Sequence, residues 1–548
     1  MILRKRIALP LPGCLLLLIT LLASAQTQTT GRIAGTVSDQ RRALIVGAEI
    51  RVINKNTGEE RRATTDQQGS YSVSPLPPGN YELTISARGF APARLTARVV
   101  ITETVIVNVE LGFSLDTITI DVGSPLVRAD SPALGRLVDS RAVSELPVAT
   151  RNFTQLLGLS PGTAAYLPDS TVVGRNSQNI SVNGSRVTQN NFQINGIDAN
   201  AGVSRSISFA NPAPETIQEF KVQTSLYDAT FGRAGGGNIQ IVTKSGGNDF
   251  HGVAYQYFGN DALNANNPFL KAAGEHRPVL KRNIFGGMIG GPIRRNKAFF
   301  FASYQGTREH NGASRLNSLA VNVLIDPRLT GDRSDAALRA AFGPAIHPVA
   351  MAFLKARSES GEFLIPTPQT NGRYSGSSIS VFREHQFNAN VDYQINQKNW
   401  LAIKFFFANA PQTLALSGAA NVPGLPVKAV NNDRLISIQD IQVLNAKVTN
   451  EARFGYNFIR SNTLTRQPLK DSDVGIMRST ASAYPGVPLF QIAPNAEEFN
   501  SALALYKMGG RRCPQRPLPT RSRSLAGRTR FEQVSSFATT KLTSTRRS

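Results

Sequence analysis

The residue types that most often carry out catalysis or bind metal are sparse and scattered in this 548-residue chain. No histidine lies within H-E-x-x-H or three to five residues from another; the five are His251, His276, His310, His347 and His385. Ser185 follows Gly184 but lacks the second glycine of a nucleophile elbow. Acids such as Asp66, Asp198 and Asp228 lie in turn-like sequences, where a carboxylate caps the backbone. We therefore predict no catalytic residue, no metal site and no cofactor, and we predict that the protein is not an enzyme.

Two further patterns argue against a nucleotide site and a disulfide framework. Gly235, Gly236 and Gly237 form a glycine cluster, but no Gly-Lys-Ser/Thr follows it and no helical pattern begins there. With only two cysteines, Cys14 and Cys513, the chain has neither a disulfide scaffold nor a zinc-finger array.

Asparagine is concentrated between residues 176 and 200, where seven of 25 residues are Asn. The pairs Asn183-Gly184 and Asn195-Gly196 favour hairpin turns with positive φ. Amide side chains in such a segment form hydrogen bonds either with a ligand or with the backbone of their own turns. The residue types alone leave both roles open.

The elements that must position these side chains are mainly β-strands. In residues 31–112, the strands predicted at Ile33–Val37, Ala48–Val52 and Ser70–Val73 are separated by turns such as Asp66–Gly69. Period-two patterns then place apolar residues on single faces; these are Tyr81, Leu83 and Ile85, followed by Val105, Val107, Val109 and Leu111. About seven short strands in such a segment predict a β-sandwich.

Motifs in this segment resemble the carboxypeptidase regulatory-like domain, a transthyretin-like sandwich grouped with carbohydrate-binding-like folds. The motifs are Gly35-Thr36-Val37, Gly47-Ala48, Thr65-Asp66, Gly69-Ser70-Tyr71 and Leu76-Pro77-Pro78-Gly79-Asn80-Tyr81. The resemblance implies an accessory domain without catalytic residues. It also implies carbohydrate as the class of ligand to test.

A short alternating strand occurs within residues 113–138, which otherwise lack a core pattern. It comprises Asp116, Thr117, Ile118, Thr119, Ile120, Asp121 and Val122. A strand with an unpaired backbone can add to the sheet edge of another protein. The alternative is a linker strand that pairs with its own sandwich.

Residues 139–248 show mixed character, with a helix predicted from a Thr150 cap through Leu157. Within them, the stretches 219–224 (Glu-Phe-Lys-Val-Gln-Thr) and 242–246 (Val-Thr-Lys-Ser-Gly) resemble the plug domain of TonB-dependent outer-membrane receptors of the Oar-like type. The order of sandwich and plug also resembles that branch. The resemblance implies that Asp116–Val122 is the box captured by the periplasmic partner TonB, which supplies inner-membrane proton-motive energy.

The same resemblance implies that the asparagine-rich hairpins of the plug face an external ligand. The residues expected on that face are Asn183, Arg186, Asn190, Asn191, Asn195 and Asp198. Asparagine and arginine hydrogen-bond sugars or chelates. The alternative, that these side chains only satisfy tight turns, stays open.

Residues 249–506 alternate as amphipathic strands, which indicates part of an outer-membrane β-barrel in contact with lipid. One hairpin is predicted from Phe387–Ile395 and Trp400–Phe407, and a second turns at Thr449–Glu451. Another turn is predicted at Gly290-Gly291-Pro292, and a helix is predicted near Asp335–Phe342. Only seven or eight strand candidates follow Asp249, fewer than the resembled barrels require. The alternative is a soluble β domain.

The predicted fold is therefore mainly β: a β-sandwich, then a mixed α/β plug, then the first strands of an incomplete outer-membrane β-barrel. Residues 1–25 form a secretory signal peptide pattern, with basic residues 4–6, an apolar run, and Ala23-Ser24-Ala25 placed for cleavage before Gln26. Export predicts an outer-membrane location with the N-terminal domain in the periplasm, and it argues against nucleic acid as a partner. The alternative is an N-terminal anchor helix.

The formal net charge of +23 is concentrated at the C-terminus, where residues 507–548 carry eleven Lys and Arg but one acid, Glu532. Apolar alternation stops after Tyr506, and a basic, Pro/Ser-rich stretch follows. We expect residues 507–548 to be disordered and to derive from a truncated or frameshifted reading frame. The alternative is a polybasic arm for anionic lipid or nucleic acid.

Three functional hypotheses follow. The first is a TonB-dependent receptor and transporter for an unidentified ligand, with carbohydrate as the candidate class. The second is a surface or periplasmic carbohydrate-binding or adhesion protein without transport. The third is a nonfunctional truncated remnant.

Overall fold

The structure is a computed structural model. It describes residues 29–112, 119–122, 132–148, 150–165, 170–175, 179–200, 211–227, 231, 235–315, 318–358, 361–369, 372–416, 426–445, 448–465, 469–477 and 521–526. The predicted signal peptide and its cleavage residues Ala23, Ala25 and Gln26 lie outside the described residues.

The N-terminal sandwich is built from two facing sheets. Its strands are β1 (Gly31–Asp39), β2 (Glu49–Asn54), β3 (Glu60–Thr64), β4 (Ser70–Leu76), β5 (Gly79–Ser86), β6 (Ala93–Val99), β7 (Thr104–Ile106), β8 (Val109–Leu111) and β9 (Thr119–Val122). One sheet has the order β4-β1-β7, with β8 also paired to β1, and the other has the order β3-β2-β5-β6-β9. The predicted single-face patterns are confirmed, because alternate residues from Tyr81 to Ile85 and from Val105 to Leu111 are buried between the sheets.

The outer edge of β3 is crowded with charged side chains. Arg51 on β2 reaches Glu60 at 2.6 Å, and Arg62 bridges Glu60 at 2.7 Å and Glu49 at 3.1 Å. These side chains are in contact with solvent, so the ion pairs add little to the free energy of unfolding. They leave β3 as a charged terminal strand of its sheet.

The plug follows, as a five-stranded sheet with short helices. Its elements are β10 (Leu134–Asp139), α1 (Ser140–Glu145), a 3-10 helix (Phe153–Leu159), β11 (Thr163–Ala165), β12 (Ile180–Val182), a 3-10 turn (Val187–Gln189), β13 (Asn191–Ile194), β14 (Ile197–Asp198), a 3-10 turn (Pro214–Thr216), β15 (Ile217–Ser225) and β16 (Asn238–Thr243). The sheet order is β10-β15-β16-β13-β14, and β11 pairs separately with β12. Phe153 and Phe220 pack in its core with ring centroids 5.6 Å apart.

The helix predicted from a Thr150 cap is wrong in type and cap. Asn152, two residues later, accepts from the Thr154 N–H at 3.1 Å and starts a 3-10 helix. Thr150 instead donates its hydroxyl to the Arg175 carbonyl at 2.6 Å. The reason is tertiary, because the Thr150 side chain finds a partner in another plug loop.

The barrel sheet contains eight strands, paired antiparallel in chain order. They are β17 (His251–Asn260), β18 (Leu280–Arg294), β19 (Ala298–Asn311), β22 (Ser380–Asn396), β23 (Asn399–Leu414), β24 (Val427–Asn445), β25 (Val448–Thr465) and β26 (Arg521–Ala526). Strands β22 to β25 have 16 to 19 residues each, more than the roughly 10 that a tilted strand needs to cross a bilayer. Alternation is clear on β22, where Gln386, Asn388 and Asn390 are buried while Phe387 and Val391 are exposed.

The remaining elements lie in the connections between barrel strands. They are a 3-10 turn (Asp261–Leu263), α2 (Pro268–Ala272), β20 (Leu319–Leu324), α3 (Asp335–Phe342), α4 (Pro348–Lys355), β21 (Arg373–Ser377) and a 3-10 turn (Asp471–Val474). The predicted helix at Asp335–Phe342 is confirmed, and the Ser334 hydroxyl caps it by accepting from the Ala337 N–H at 3.2 Å. Across the described parts of the chain, no helix is long and apolar enough to cross a membrane.

Two predicted barrel turns are displaced along the chain. Strand β18 continues through Gly290-Gly291-Pro292, with a register shift between Pro292 and Arg294, and the turn comes at residues 295–297. The second turn lies between Asn445 and Val448, so that Thr449–Glu451 belong to β25. The polar residue Glu451 is buried on the inner face of the barrel sheet and does not belong to a turn.

The expectation of a structureless tail is wrong for six residues. Strand β26 (Arg521–Ala526) pairs antiparallel with the start of β25, from Val448 to Arg453. An edge strand offers unpaired N–H and C=O groups, which a nearby extended segment can satisfy. The other residues of 507–548 lie outside the described part of the chain.

Candidate coupling strand and plug interfaces

The described part of the predicted TonB box is the last strand of the sandwich sheet. Strand β9 runs parallel to β6, with Thr119 opposite Arg94 and Val122 opposite Ala97. Asp116, Thr117 and Ile118 lie outside the described residues. The arrangement matches the alternative stated above, a strand paired with its own sandwich, and it leaves a role in binding TonB as a prediction.

Two side chains of plug strand β15 hold the sandwich onto the plug. Glu219 accepts from the Ile101 N–H at 2.7 Å, and Lys221 donates to the Thr102 hydroxyl at 2.6 Å. Lys221 also lies 3.2 Å from Glu103. Residues two apart on a strand share a face, so one face of β15 makes all three contacts. We call this set of contacts the latch.

Both latch side chains on β15 are almost completely buried, at 1% exposure for Glu219 and 2% for Lys221. Burial raises the pKa of Glu219 to about 7. The hydrogen bond from the Ile101 N–H acts in the opposite direction, because it favours the ionised carboxylate. Lys221 is paired with Glu103, so a substitution of either residue would remove the charge partner of the other. The latch therefore makes the contact between sandwich and plug sensitive to the charge of these side chains.

A more exposed ion pair lies beside the latch. Arg98 reaches Asp139 at 3.2 Å, and Asp139 caps helix α1 by accepting from the Ala142 N–H at 2.9 Å. That backbone bond, followed by Arg98, lowers the pKa of Asp139. The pair joins the end of β6 to the start of the plug.

The sandwich also contacts the barrel sheet. The Asn56 carbonyl accepts from the Asn248 N–H at 2.7 Å, and Asn248 exchanges hydrogen bonds with Asn296 at 2.7 and 2.8 Å. On another strand pair, the Thr29 hydroxyl accepts from Gln439 at 3.1 Å and from Arg453 at 2.8 Å. Asn296 belongs to the short turn between β18 and β19, so the sandwich lies at that end of the sheet.

A cavity of about 110 Å³, lined by both polar and apolar side chains, lies where sandwich, plug and barrel sheet meet. Glu59 lines it from the sandwich, Ser245 from the plug, and Asp392 and Lys404 from the barrel sheet. Lys404 donates to the Thr243 carbonyl at 3.0 Å. The cavity is large enough for ordered water molecules, which its polar side chains can bind.

The two Asn-Gly pairs of the plug form the turns that the sequence predicts. Asn183 and Gly184 have φ of 48° and 76°, and Asn195 and Gly196 have φ of 49° and 74°. Asn183 also donates to the Thr224 carbonyl at 2.9 Å.

Most of the predicted ligand-facing residues are engaged within the plug. Asn190, Asn191 and Asn195 are buried; they bond to the Ile180 carbonyl, the Asn238 side chain and the Thr243 N–H respectively. Asp198 accepts from the Asn200 N–H at 2.9 Å, and its own carbonyl accepts from Asn457 at 2.8 Å. Asn183 and Arg186 are the two exposed members of the set. Their role in ligand binding stays a prediction.

Buried ion pairs between plug and barrel sheet were not found by sequence reasoning. Arg175 of the plug pairs with Glu384 on β22, and burial lowers the pKa of Arg175 to about 10. Arg282 on β18 pairs with Glu309 on β19 at 2.8 Å, and Arg282 also donates to two plug carbonyls, of Ser170 and Val172, at 2.9 Å each. The sequence signal for these pairs was a charged residue at a strand position that the alternation places on the inner face of the barrel sheet.

A third pair lies beside the first barrel strand. Arg151 and Glu215 pair within the plug, and the Tyr257 hydroxyl of β17 donates to Glu215 at 2.9 Å. The Arg151 guanidinium lies 4.4 Å from the Tyr257 ring centroid. These contacts fix the plug against the inner face of the barrel sheet.

Two parts of the chain match family models of known domains. The family model of the carboxypeptidase regulatory-like domain matches residues 32–112, and that of an outer membrane beta barrel domain matches residues 242–508. The TonB-dependent transporter Oar of Myxococcus xanthus is 28% identical over 319 residues. Over this stretch the chain is similar to Oar. These matches place the chain in the outer membrane.

The match to Oar includes 55% of this chain and 29% of the relative, so the chain spans less than a third of that protein's length. Among solved structures, the outer membrane transporter YddB from Escherichia coli is similar with a TM-score of 0.41 and 12% identity, over 62% of this chain and 40% of that one. A mutant ferric enterobactin receptor, PfeA from Pseudomonas aeruginosa, is similar with a TM-score of 0.40 and 12% identity, over 65% and 44%.

Proposed function

We propose that the chain serves TonB-dependent transport across the outer membrane, without enzymatic activity of its own. The observation that carries this is the continuous set of contacts from sandwich to plug to barrel sheet. The latch joins the sandwich to β15, and the Arg175–Glu384 pair joins the plug to β22. A plug held by such pairs closes a passage until energy moves it, and in this proposal TonB supplies that energy.

The lengths of the barrel connections support a periplasmic sandwich. Three connections are short, at residues 295–297, 397–398 and 446–447, whereas those at the other end of the strands are longer; they run over residues 261–279, 312–379 and 415–426. Barrels of this class have short periplasmic turns and long external loops. Asn248 bonds to Asn56 of the sandwich and to Asn296 in one of the short turns, which supports a periplasmic position for the sandwich.

Deletion of residues 116–122 in the full chain tests the coupling to TonB. We expect loss of binding to the purified periplasmic domain of TonB and loss of ligand uptake. A deletion of equal length at residues 124–130 is the matched control, because it leaves β9 in place. Unchanged TonB binding after the first deletion would contradict coupling through residues 116–122, and absence of uptake by the wild-type chain would favour the adhesion hypothesis.

The ligand class that we propose is carbohydrate, on the basis of the carbohydrate-binding-like sandwich and the exposed polar hairpin at Asn183 and Arg186. Glycan binding by the full chain, compared with Asn183→Ala and Arg186→Ala variants, tests it. Wild-type binding that falls in the variants supports both the ligand class and the hairpin. Absence of glycan binding by the wild-type chain rejects carbohydrate without affecting the TonB test.

A further inference from the structure

The outward face of the barrel sheet carries an apolar band with an aromatic border. Its positions alternate with the buried ones that face the plug, and toward the short turns they are apolar; they include Ala389, Val391, Ile403, Phe405, Ile436 and Ile438. Toward the long connections the band ends at Tyr304, Phe387 and Phe407, which lie side by side in register. Their ring centroids are 4.9 and 6.2 Å apart. Such an aromatic border marks the boundary between hydrocarbon and lipid headgroups.

Beyond this border, on the side of the long connections, the outward face becomes basic. The basic residues at outward positions there are Lys281, Arg308, His310, Arg383, His385 and Lys428. We call these residues the basic rim. On the described strands, no aspartate or glutamate occupies an outward position on this side of the border. The rim therefore presents a single sign of charge at the level of the headgroups.

Arg308 and Arg383 face each other directly within the basic rim. They are partners in the register of β19 and β22, which places their Cβ atoms roughly 5 Å apart. Within the described part of the chain, no carboxylate forms an ion pair with either guanidinium. Like charges directly opposite each other destabilise a sheet. An anion bound between the two arginines would remove that repulsion.

Hydrogen bonds leave donors of this cluster available to such an anion. Arg308 donates to the backbone carbonyls of Thr307 and Glu384 at 2.9 and 3.0 Å. It also donates to Nε2 of His385 at 2.8 Å, so two of its N–H groups remain for another acceptor. Because Nε2 accepts, the neutral His385 ring carries its proton on Nδ1 and donates it to the Tyr304 hydroxyl oxygen at 2.8 Å. The Tyr304 O–H is then left to donate to a further acceptor.

We propose that Arg308, Arg383 and the Tyr304 hydroxyl bind the phosphate group of a lipid headgroup in the external leaflet. A phosphate offers several acceptor oxygens, and guanidinium groups bind it through charge-assisted hydrogen bonds. Its acyl chains then lie against the apolar band on the hydrocarbon side of Phe387. The inference goes beyond the proposed function: it uses the external side assigned to the long connections but not the coupling to TonB.

Lipid binding by the full chain in detergent tests the proposal. The probe is dioleoyl phosphatidic acid in dodecyl maltoside micelles, and native mass spectrometry gives its Kd. We expect Arg308→Gln with Arg383→Gln to weaken binding at least about tenfold, because two charge-assisted contacts are lost. Arg294→Gln with Arg295→Gln removes the same charge beside a short turn and is the matched control. We expect it to change the Kd less than about twofold.

Tyr304→Phe is a second variant, which keeps the aromatic ring beside Phe387 and removes only the hydroxyl. We expect it to weaken the binding of phosphatidic acid about threefold or more. An equal loss of affinity in the two double-arginine variants would reduce the effect to net charge and overturn the proposal. Unchanged affinity in Tyr304→Phe and in the rim double variant would also overturn it.

Two competitors distinguish the source of the anion. Sodium oleate supplies an anionic acyl chain without phosphate, and inorganic phosphate supplies the anion without an acyl chain. We expect each to displace phosphatidic acid only at concentrations at least about tenfold higher than that lipid. Displacement by either competitor at equal concentration overturns the assignment to a lipid phosphate. Neither outcome changes the test of TonB binding, so the proposed function is judged separately.

Discussion

The backbone N–H of Ile101 in the sandwich donates to the carboxylate of Glu219 in the plug over 2.7 Å, and both groups are buried. This bond makes a titratable side chain part of a contact between two domains. Because burial raises the pKa of Glu219 from 4.5 to about 7, the docked state binds a proton more tightly than the separated state.

Docking of the sandwich on the plug is therefore expected to depend on pH. The contribution of Glu219 is fully present below pH 4.5 and is lost as the pH rises through about 7. We expect a loss on the order of 3 kcal/mol across this window, because one pKa unit corresponds to about 1.4 kcal/mol. Exchange protection of the Ile101 amide, corrected for intrinsic rate, measures it, and Glu219→Gln should flatten the profile. An equally steep profile in the variant would exclude Glu219 as the cause.

Replacing Lys221 with methionine should loosen the same contact. The variant keeps the volume of the side chain but removes the bond to Thr102 and the ion pair with Glu103. Leaving these groups unpaired costs about 1–3 kcal/mol. Limited proteolysis of the 98–104 segment should become faster, whereas Arg62→Ala, on the far edge of the sandwich, should leave it unchanged. Equal rates in the wild-type chain and Lys221→Met would show that the Lys221 contacts do not hold the sandwich against the plug.

The two Asn-Gly turns offer a matched pair of substitutions. A Cβ at Gly196 would lie 2.0 Å from Arg453 Nη1, whereas a Cβ at Gly184 meets no atom within 4 Å. Both positions have positive φ, which costs an alanine about 1 kcal/mol in each case. We expect Gly196→Ala to lower plug stability by about 1–3 kcal/mol more than Gly184→Ala, because Arg453 is buried. Urea-induced release of the plug distinguishes them, and equal midpoints would refute the prediction.

The Arg175–Glu384 pair should matter far more than an exposed pair of the same type. Arg175→Met leaves Glu384 buried and unpaired, which costs about 3–5 kcal/mol. Arg328→Ala breaks an exposed pair with Asp326 and should cost about 0–1 kcal/mol. Protease sensitivity of the plug in detergent reports the difference. A plug that resists protease equally in both variants would show that the buried pair does not retain it.

Much of the fold could be predicted because strands and tight turns are local patterns. The alternation from Tyr81 to Ile85 marks a sandwich strand, and the Asn-Gly pairs mark turns with positive φ. The misplaced turn at Thr449–Glu451 shows the limit of this approach, because polar residues facing a polar barrel interior look like a turn in sequence. Thr150 shows a second limit, since its partner is distant in the chain.

The contacts between domains could not be predicted in the same way. Glu219 and Lys221 lie within a plug motif, but their partners in the sandwich are about 120 residues earlier. The residues expected to face a ligand could, from their sequence, either bind that ligand or satisfy their own turns. Asn190, Asn191 and Asn195 bond to groups within the plug. Charge on inward strand positions, as at Glu309 and Glu384, is the sequence signal that would have located the plug contacts.

The charged edge at β3 has a consequence for the protein before it reaches the membrane. Before insertion, the sandwich of one copy can meet that of another, and uncharged strand edges can then pair and aggregate. Strand β3 presents Glu60 and Arg62, whose desolvation opposes a neighbouring copy at that end. Among the described strands, β3 is thus the end of this sheet that is protected from self-assembly by charge, and β9 forms the opposite end.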